Sequence, residues 1–361
     1  MRPFLPFLCV VLTVASLAAC EGAGPSDPTD EPPPGLALAF PMVGELNQDI
    51  FYTNYVDLEP GPDVMDYQCG PKSYDGHRGL DLVLPSFARM DEGVEVVAVA
   101  PGQVQSVADG HFDRNKSWNA GGGFGNHVVV SHGGGYVTIY AHMMEGSPRV
   151  SAGESVSVGE VLGLVGSSGM SDMPHLHFEV RRNGQALEPF AGPCGPAATH
   201  WADPHPYQNE FRLIAADLTA ESPLTLDRVK DPPSVADQVY LGHPITLWVH
   251  LHHVPVGTAA EWRLYGPGGT QVNSFSRDHG TFYSMSWWWA WFTPLSPEGE
   301  WRIDYLHDGD VLATRSFQAV QAGGEAAIPV AGLELSEGPS QATSGGDGGW
   351  LGAQPMKHRR R

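Results

Sequence analysis

Basic residues are scarce in this chain. Twenty lysines and arginines stand against 41 aspartates and glutamates, a formal charge of −21 over 361 residues. Neutralising a phosphate backbone requires clustered cations, so nucleic acid is not expected as a partner. Adhesion to anionic polymers or lipid surfaces is disfavoured for the same reason, and the acidity is read as serving solubility. Charged residues amount to 17% and hydrophobic ones to 42%, the balance of a globular rather than a disordered chain. Cysteine is rare, with four residues at positions 9, 20, 69 and 194. The apolar run from Phe4 to Val14 is too short for a membrane span.

What the chain does have is glycine (44) and proline (31), which imply many turns and so a β-rich fold. Its length corresponds to roughly two domains with tails, at about 100–200 residues per domain. Arg2, the short apolar run and the small residues Leu17-Ala18-Ala19-Cys20 have the layout of an export signal over 1–20. The last four resemble a bacterial lipobox, so Cys20 is the expected lipidation site and the protein is expected to be anchored in the cell envelope. Residues 21–35 form an acidic, proline-rich tether that cannot bury enough apolar surface to fold. In an exported chain, the remaining even pair, Cys69 and Cys194, predicts a disulfide.

Pro174-His175-Leu176-His177-Phe178-Glu179-Val180 is the most informative stretch. Alternate side chains of a strand share a face, so His175 and His177 lie opposite Leu176, Phe178 and Val180. Upstream, Leu80, Leu82 and Leu84 alternate with His77, Gly79 and Asp81. An extended chain there puts His77 and Asp81 on one face, with the glycine leaving room for an ion. A His, Asp, His set supplies three ligands that zinc accepts and leaves a fourth position for water. Val137-Thr138-Ile139-Tyr140-Ala141-His142 ends a third alternating segment on another histidine.

In order and spacing, His77-x-x-x-Asp81, Tyr140-Ala141-His142 and His175-x-His177-Phe178-Glu179 resemble the lysostaphin-like (LytM-type) zinc endopeptidases, which cut peptidoglycan cross-links. The resemblance covers about residues 40–192. It implies a mainly β fold, with an antiparallel β groove of the duplicated hybrid motif type, and one Zn²⁺ held by His77, Asp81 and His177. His142 and His175 are the implied catalytic pair, and peptidoglycan peptides the implied substrate. The alternative is a catalytically inactive wall-binding or amidase-activating scaffold. Some relatives use an upstream asparagine as an inhibitory ligand; Asn47 and Asn54 lie upstream here, and no latency is expected. The segments Pro85–Gly93 and Asp109–Gly123, the latter with His111 and Trp118, are candidate groove-flanking loops.

The peptidase domain is therefore assigned to 36–206, a small immunoglobulin-like β-sandwich to 207–320 and a disordered tail to 321–361. The partner of the sandwich is not encoded visibly. Two of its features attract a functional reading. Alternation places His250 and His252 of His250-x-His252-His253 towards solvent, without a carboxylate nearby for a metal. Trp287, Trp289 and Trp291 share a face, which is assigned to the sandwich core rather than to a sugar platform.

Overall fold

The computed structural model describes residues 37–117 and 123–322. The signal segment with Cys20, the tether, Trp118 and the tail beyond 322 lie outside the described residues. The fold is mainly β. Its first half contains β1 (Phe51–Asn54), β2 (Leu80–Val83), a short helix α1 (Phe87–Asp91), β3 (Glu95–Val97), β4 (Gly102–Ala108), β5 (Asn126–Gly133), β6 (Tyr136–Met143), β7 (Ser155–Val156), β8 (Val161–Leu164), β9 (His175–Arg182) and β10 (Gln185–Leu187). Alternating apolar segments with glycine turns produce an antiparallel sheet in the order β1-β2-β9-β6-β5-β4-β7, with β10 paired to β9. β3 and β8 form a separate ribbon. Leu176, Phe178 and Val180 of β9 lie in the core, as the alternation requires.

The second half contains β11 (Arg212–Thr219), α2 (Leu226–Lys230), β12 (Gln238–Tyr240), β13 (Ile245–Val254), β14 (Ala259–Tyr265), β15 (Gln271–Asp278), β16 (Tyr283–Phe292), β17 (Gly299–His307) and β18 (Asp310–Val320). They form a sheet β11-β13-β16 and a sheet β12-β18-β17-β14-β15. Between β17 and β18 the tight turn Asp308-Gly309 has both residues at positive φ, 49° and 91°, as the twist of a two-residue hairpin demands.

Three expectations are corrected. Pro85–Gly93 is not a groove loop: it carries α1, capped by Ser86 Oγ accepting from Arg89 N–H at 3.2 Å, with Phe87 and Met90 buried. His250 and His252 do not face solvent; they are 1% and 0% exposed. Alternation along β13 holds, with Ile245, Leu247, Val249 and Leu251 in the sandwich core, but the opposite face packs against the first half. Phe51 of β1 meets the His252 ring edge-on at 4.6 Å, and Trp287 stacks on His250 at 4.3 Å. The tryptophan assignment is likewise reversed. Trp288, Ala290 and Phe292 of β16 fill the sandwich core, whereas Trp287 joins the core of the first half and Trp289 packs against it.

Cys69 and Cys194 are joined in a disulfide across 125 residues of sequence. Among the described residues, no helix is long and apolar enough to cross a membrane.

Candidate metal centre

β9 lies between β2 and β6, and register decides what meets: Asp81 and Ala141 are the cross-strand neighbours of His177. His77 is not in a strand. It follows the turn Tyr74–Gly76, with its N–H donating to Tyr74 O at 2.9 Å, and enters the site just ahead of β2. Gly79 leaves room for a ring, not for an ion: a Cβ there would stand 2.6 Å from Phe178 O and 2.9 Å from His177 Nε2.

Three atoms converge. His77 Nε2 is 3.1 Å from Asp81 Oδ1, His177 Nδ1 is 2.9 Å from the same oxygen, and the two nitrogens are 3.2 Å apart. A tetrahedral ion with bonds of about 2.0–2.1 Å would place its ligand atoms roughly 3.3 Å from one another. Their remaining polar atoms are already engaged in the sense that a ligand set needs. His77 Nδ1–H donates to Tyr55 O at 2.8 Å, which leaves Nε2 with its lone pair inward. His177 Nε2–H donates to Glu179 Oε1 at 3.0 Å, so the Nδ1 proton, shared with Asp81 in the metal-free ring, is the one an ion would displace. Asn54 Nδ2 donates to Asp81 Oδ2 at 2.9 Å and leaves Oδ1 for the centre. These residues fit a divalent metal, and among the described residues they are the one group of three or more that does.

Charge follows from these contacts. Burial alone would raise the Asp81 pKa, but the His77 charge beside it and hydrogen bonds from His177 and His77 hold it well below the usual carboxylate range. Burial would lower His177; hydrogen bonds to the Asp81 and Glu179 carboxylates instead carry it up to about 9. Burial would raise the Glu179 pKa, but hydrogen bonds from His177 and then from Arg181 Nε lower it.

His142 and His175 stand beside the three, their ring centres 4.7 Å apart. A polar glycine loop, 166–174, holds both. His142 Nδ1–H donates to Ser168 O and His175 Nδ1–H to Met173 O, each at 2.8 Å, so both Nε2 atoms retain lone pairs. Burial, reinforced by neighbouring imidazoles, pushes His142 well below the ordinary histidine range, and burial lowers His175. Both are therefore neutral bases at physiological pH. His142 has φ 62°, an uncommon conformation for a side chain of its size and one that clusters at functional sites. An open cleft of about 260 Å³ lies above the centre, lined among others by Tyr74, Arg78, Phe124, Met170 and Arg181.

Residues 75–189, which hold all five of these side chains, match the model of Peptidase family M23. This segment is a peptidase M23 domain. The chain is 41% identical over 105 residues to the DD-carboxypeptidase/endopeptidase Mpg of Neisseria meningitidis, covering 28% of this chain and 23% of that protein. It is 43% identical over 98 residues to the murein hydrolase activator EnvC of Escherichia coli, covering 27% and 20%. An uncharacterized metalloprotease of Haemophilus influenzae is 36% identical over 114 residues, 32% of this chain and 20% of its own length. The chain thus spans about a fifth of the length of these curated relatives. Among solved structures, the catalytic domain of lysostaphin from Staphylococcus simulans is 25% identical, with a TM-score of 0.26 over 40% of this chain and 90% of that one.

Of the outer partners around the M23 centre, sequence reasoning assigned no role to Asn54, Glu179, Ser168 or Ser171. Glu179 had a signal: it lies two residues beyond His177, on the same strand face. The backbone acceptors at Tyr55, Ser168 and Met173 had none.

Proposed function

We propose that this protein is a zinc-dependent endopeptidase that hydrolyses peptide cross-links of bacterial peptidoglycan. The observation that carries this reading is the convergence of His77, Asp81 and His177 beneath a cleft that His142 lines, with the His175 ring 4.7 Å from that of His142. A zinc ion held by these ligands supplies Lewis acidity towards a scissile carbonyl and an acidified water at neutral pH. One of His142 and His175 would take the water's proton on Nε2, the nitrogen its backbone contact leaves free, and that proton would then be available to the departing amine, with the other ring beside it. Arg78 on the cleft wall, in a chain of charge −21, favours peptides that bear a free carboxylate.

The relatives named above include both a hydrolase and an activator, so likeness alone does not separate an enzyme from a scaffold. The full set of five chemical groups favours the enzyme. Residues 17–20 further support an envelope lipoprotein anchored through Cys20, which radiolabelled palmitate and a Cys20→Ala variant would test. The function itself is tested with the full chain loaded with zinc and incubated with purified sacculi. Muropeptide release that stops on chelation and returns with zinc is the expected result. A protein that binds one zinc and releases nothing would point to the scaffold.

A further inference from the structure

We propose that Lys230 and Asp231, contributed by the C-terminal half, are positioning residues for His142 and His175: they pin the 166–174 loop on which both imidazoles depend. This rests on the peptidase reading and goes beyond it, because it makes the C-terminal half a working part of the cleft.

Helix α2 lies against the M23 domain. Val229 joins that domain's core, and the Lys230 side chain is only 2% exposed. A buried ammonium is tolerated only where acceptors surround it. All three acceptors of Lys230 come from the first half: Asp172 O and Asp172 Oδ2 at 2.9 Å each, and Lys116 O at 3.1 Å. The next residue, Asp231, pairs with Arg114 and Lys116, both at 3.1 Å.

These contacts grip two strips of backbone that are zipped together. Ser167 N–H donates to Asp113 O at 2.9 Å, Asn115 N–H to Ser167 O at 3.0 Å, and Asn115 Nδ2 to Gly169 O at 3.1 Å. From Ser167 a short path runs to the site: its Oγ is 2.8 Å from Ser171 Oγ, which lies 3.2 Å from His175 Nδ1 and donates to Met173 O at 2.8 Å. The adjoining Ser168 O is the acceptor for His142. Asp172, the residue that Lys230 holds, sits between Ser171 and Met173. A shift of this loop therefore turns both rings, whereas His77, Asp81 and His177 are held by contacts outside the loop, to Tyr55 O, Asn54 Nδ2 and Glu179 Oε1.

The test uses the full chain. Lys230→Met keeps the buried stem and removes the three donated bonds. Misplacing catalytic groups by about 1 Å can cost on the order of 100-fold, so kcat on a soluble cross-linked muropeptide is expected to fall at least tenfold, with KM and zinc content unchanged. Asp231→Asn should show the same pattern to a smaller degree. Nitrogen-15 NMR of the metal-free protein provides a readout independent of activity: Nδ1–H tautomers at His142 and His175 in the unsubstituted chain, mixed tautomers in Lys230→Met. Unchanged tautomers with unchanged kcat would overturn the proposal, as would a loss of zinc in step with activity. Should Lys230→Met fail to fold, Asp231→Asn and Asp172→Ala, at partly exposed positions, carry the same two readouts. If the unsubstituted chain cleaves nothing, the peptidase reading fails, and the NMR comparison still decides whether the C-terminal half sets the rings.

Discussion

Strands β9 and β13 each carry two histidines at alternate positions, and in both strands the pair is buried. Their surroundings differ. On β9, His177 is held between the carboxylates of Asp81 and Glu179, and the cleft opens above it. On β13, His250 Nε2 and His252 Nε2 lie 3.1 Å from each other, enclosed by Trp287 and Phe51. Burial drives His250 and His253 down to about 3 and His252 well below its ordinary range. Burial of an imidazole pair is thus common to both strands. What sets the candidate metal centre apart is the carboxylate across the strand, the acceptors that fix each tautomer, and an open side.

The sharpest way to break this comparison is to exchange ligands for bystanders. His77→Ala or Asp81→Ala is expected to abolish both bound zinc and muropeptide release, whereas His250→Ala should leave one zinc per chain by atomic absorption. Zinc loss in the His250 variant would mean that β13 takes part. Gly79→Ala should come close to the ligand variants, because its methyl group would press on the His177 ring and Phe178 O. Next in size, His142→Ala or His175→Ala should retain zinc and lose roughly 10²–10⁴-fold in kcat, the usual range for general acid–base groups.

Glu179→Gln is expected to weaken zinc affinity by roughly 10–100-fold, as loss of an outer partner of a metal-bound histidine does; competition with a fluorescent chelator would measure it. A separate test concerns β13. Folded-state pKa values below the unfolded value mean stability that is full above about pH 6.5 and lost as pH falls towards 3. Each neutral ring should cost about 2 kcal/mol by pH 5. Urea titrations of metal-free protein should show this slope, and His250→Phe should reduce it by one ring's share. No change of slope would place the acid sensitivity elsewhere.

Asp81 and His177 were legible because alternation in β2 and β9 fixes which residues share a face; His77, which enters from a turn ahead of β2, and the choice of His177 over His175 rested on the family resemblance. The same alternation misled at β13 and β16. Periodicity groups residues on one side of a strand but is silent about what covers that side, and here the cover is the other half of the chain. α1 escaped notice because five residues are too few for a helical period to declare itself. β15, an edge strand of mostly polar residues, and β11, whose apolar residues do not alternate cleanly, also went unread, as did β1, β10 and α2.

Strand β16 has no side turned to water: Trp288 and Phe292 serve one core while Trp287 serves the other. A fragment trimmed near residue 207 to isolate the M23 domain would expose Phe51 and its apolar surroundings as a raw, sticky scar. Preparing such a fragment in soluble form would call for polar replacements along that seam, and a homologue lacking the C-terminal half would have to carry them already.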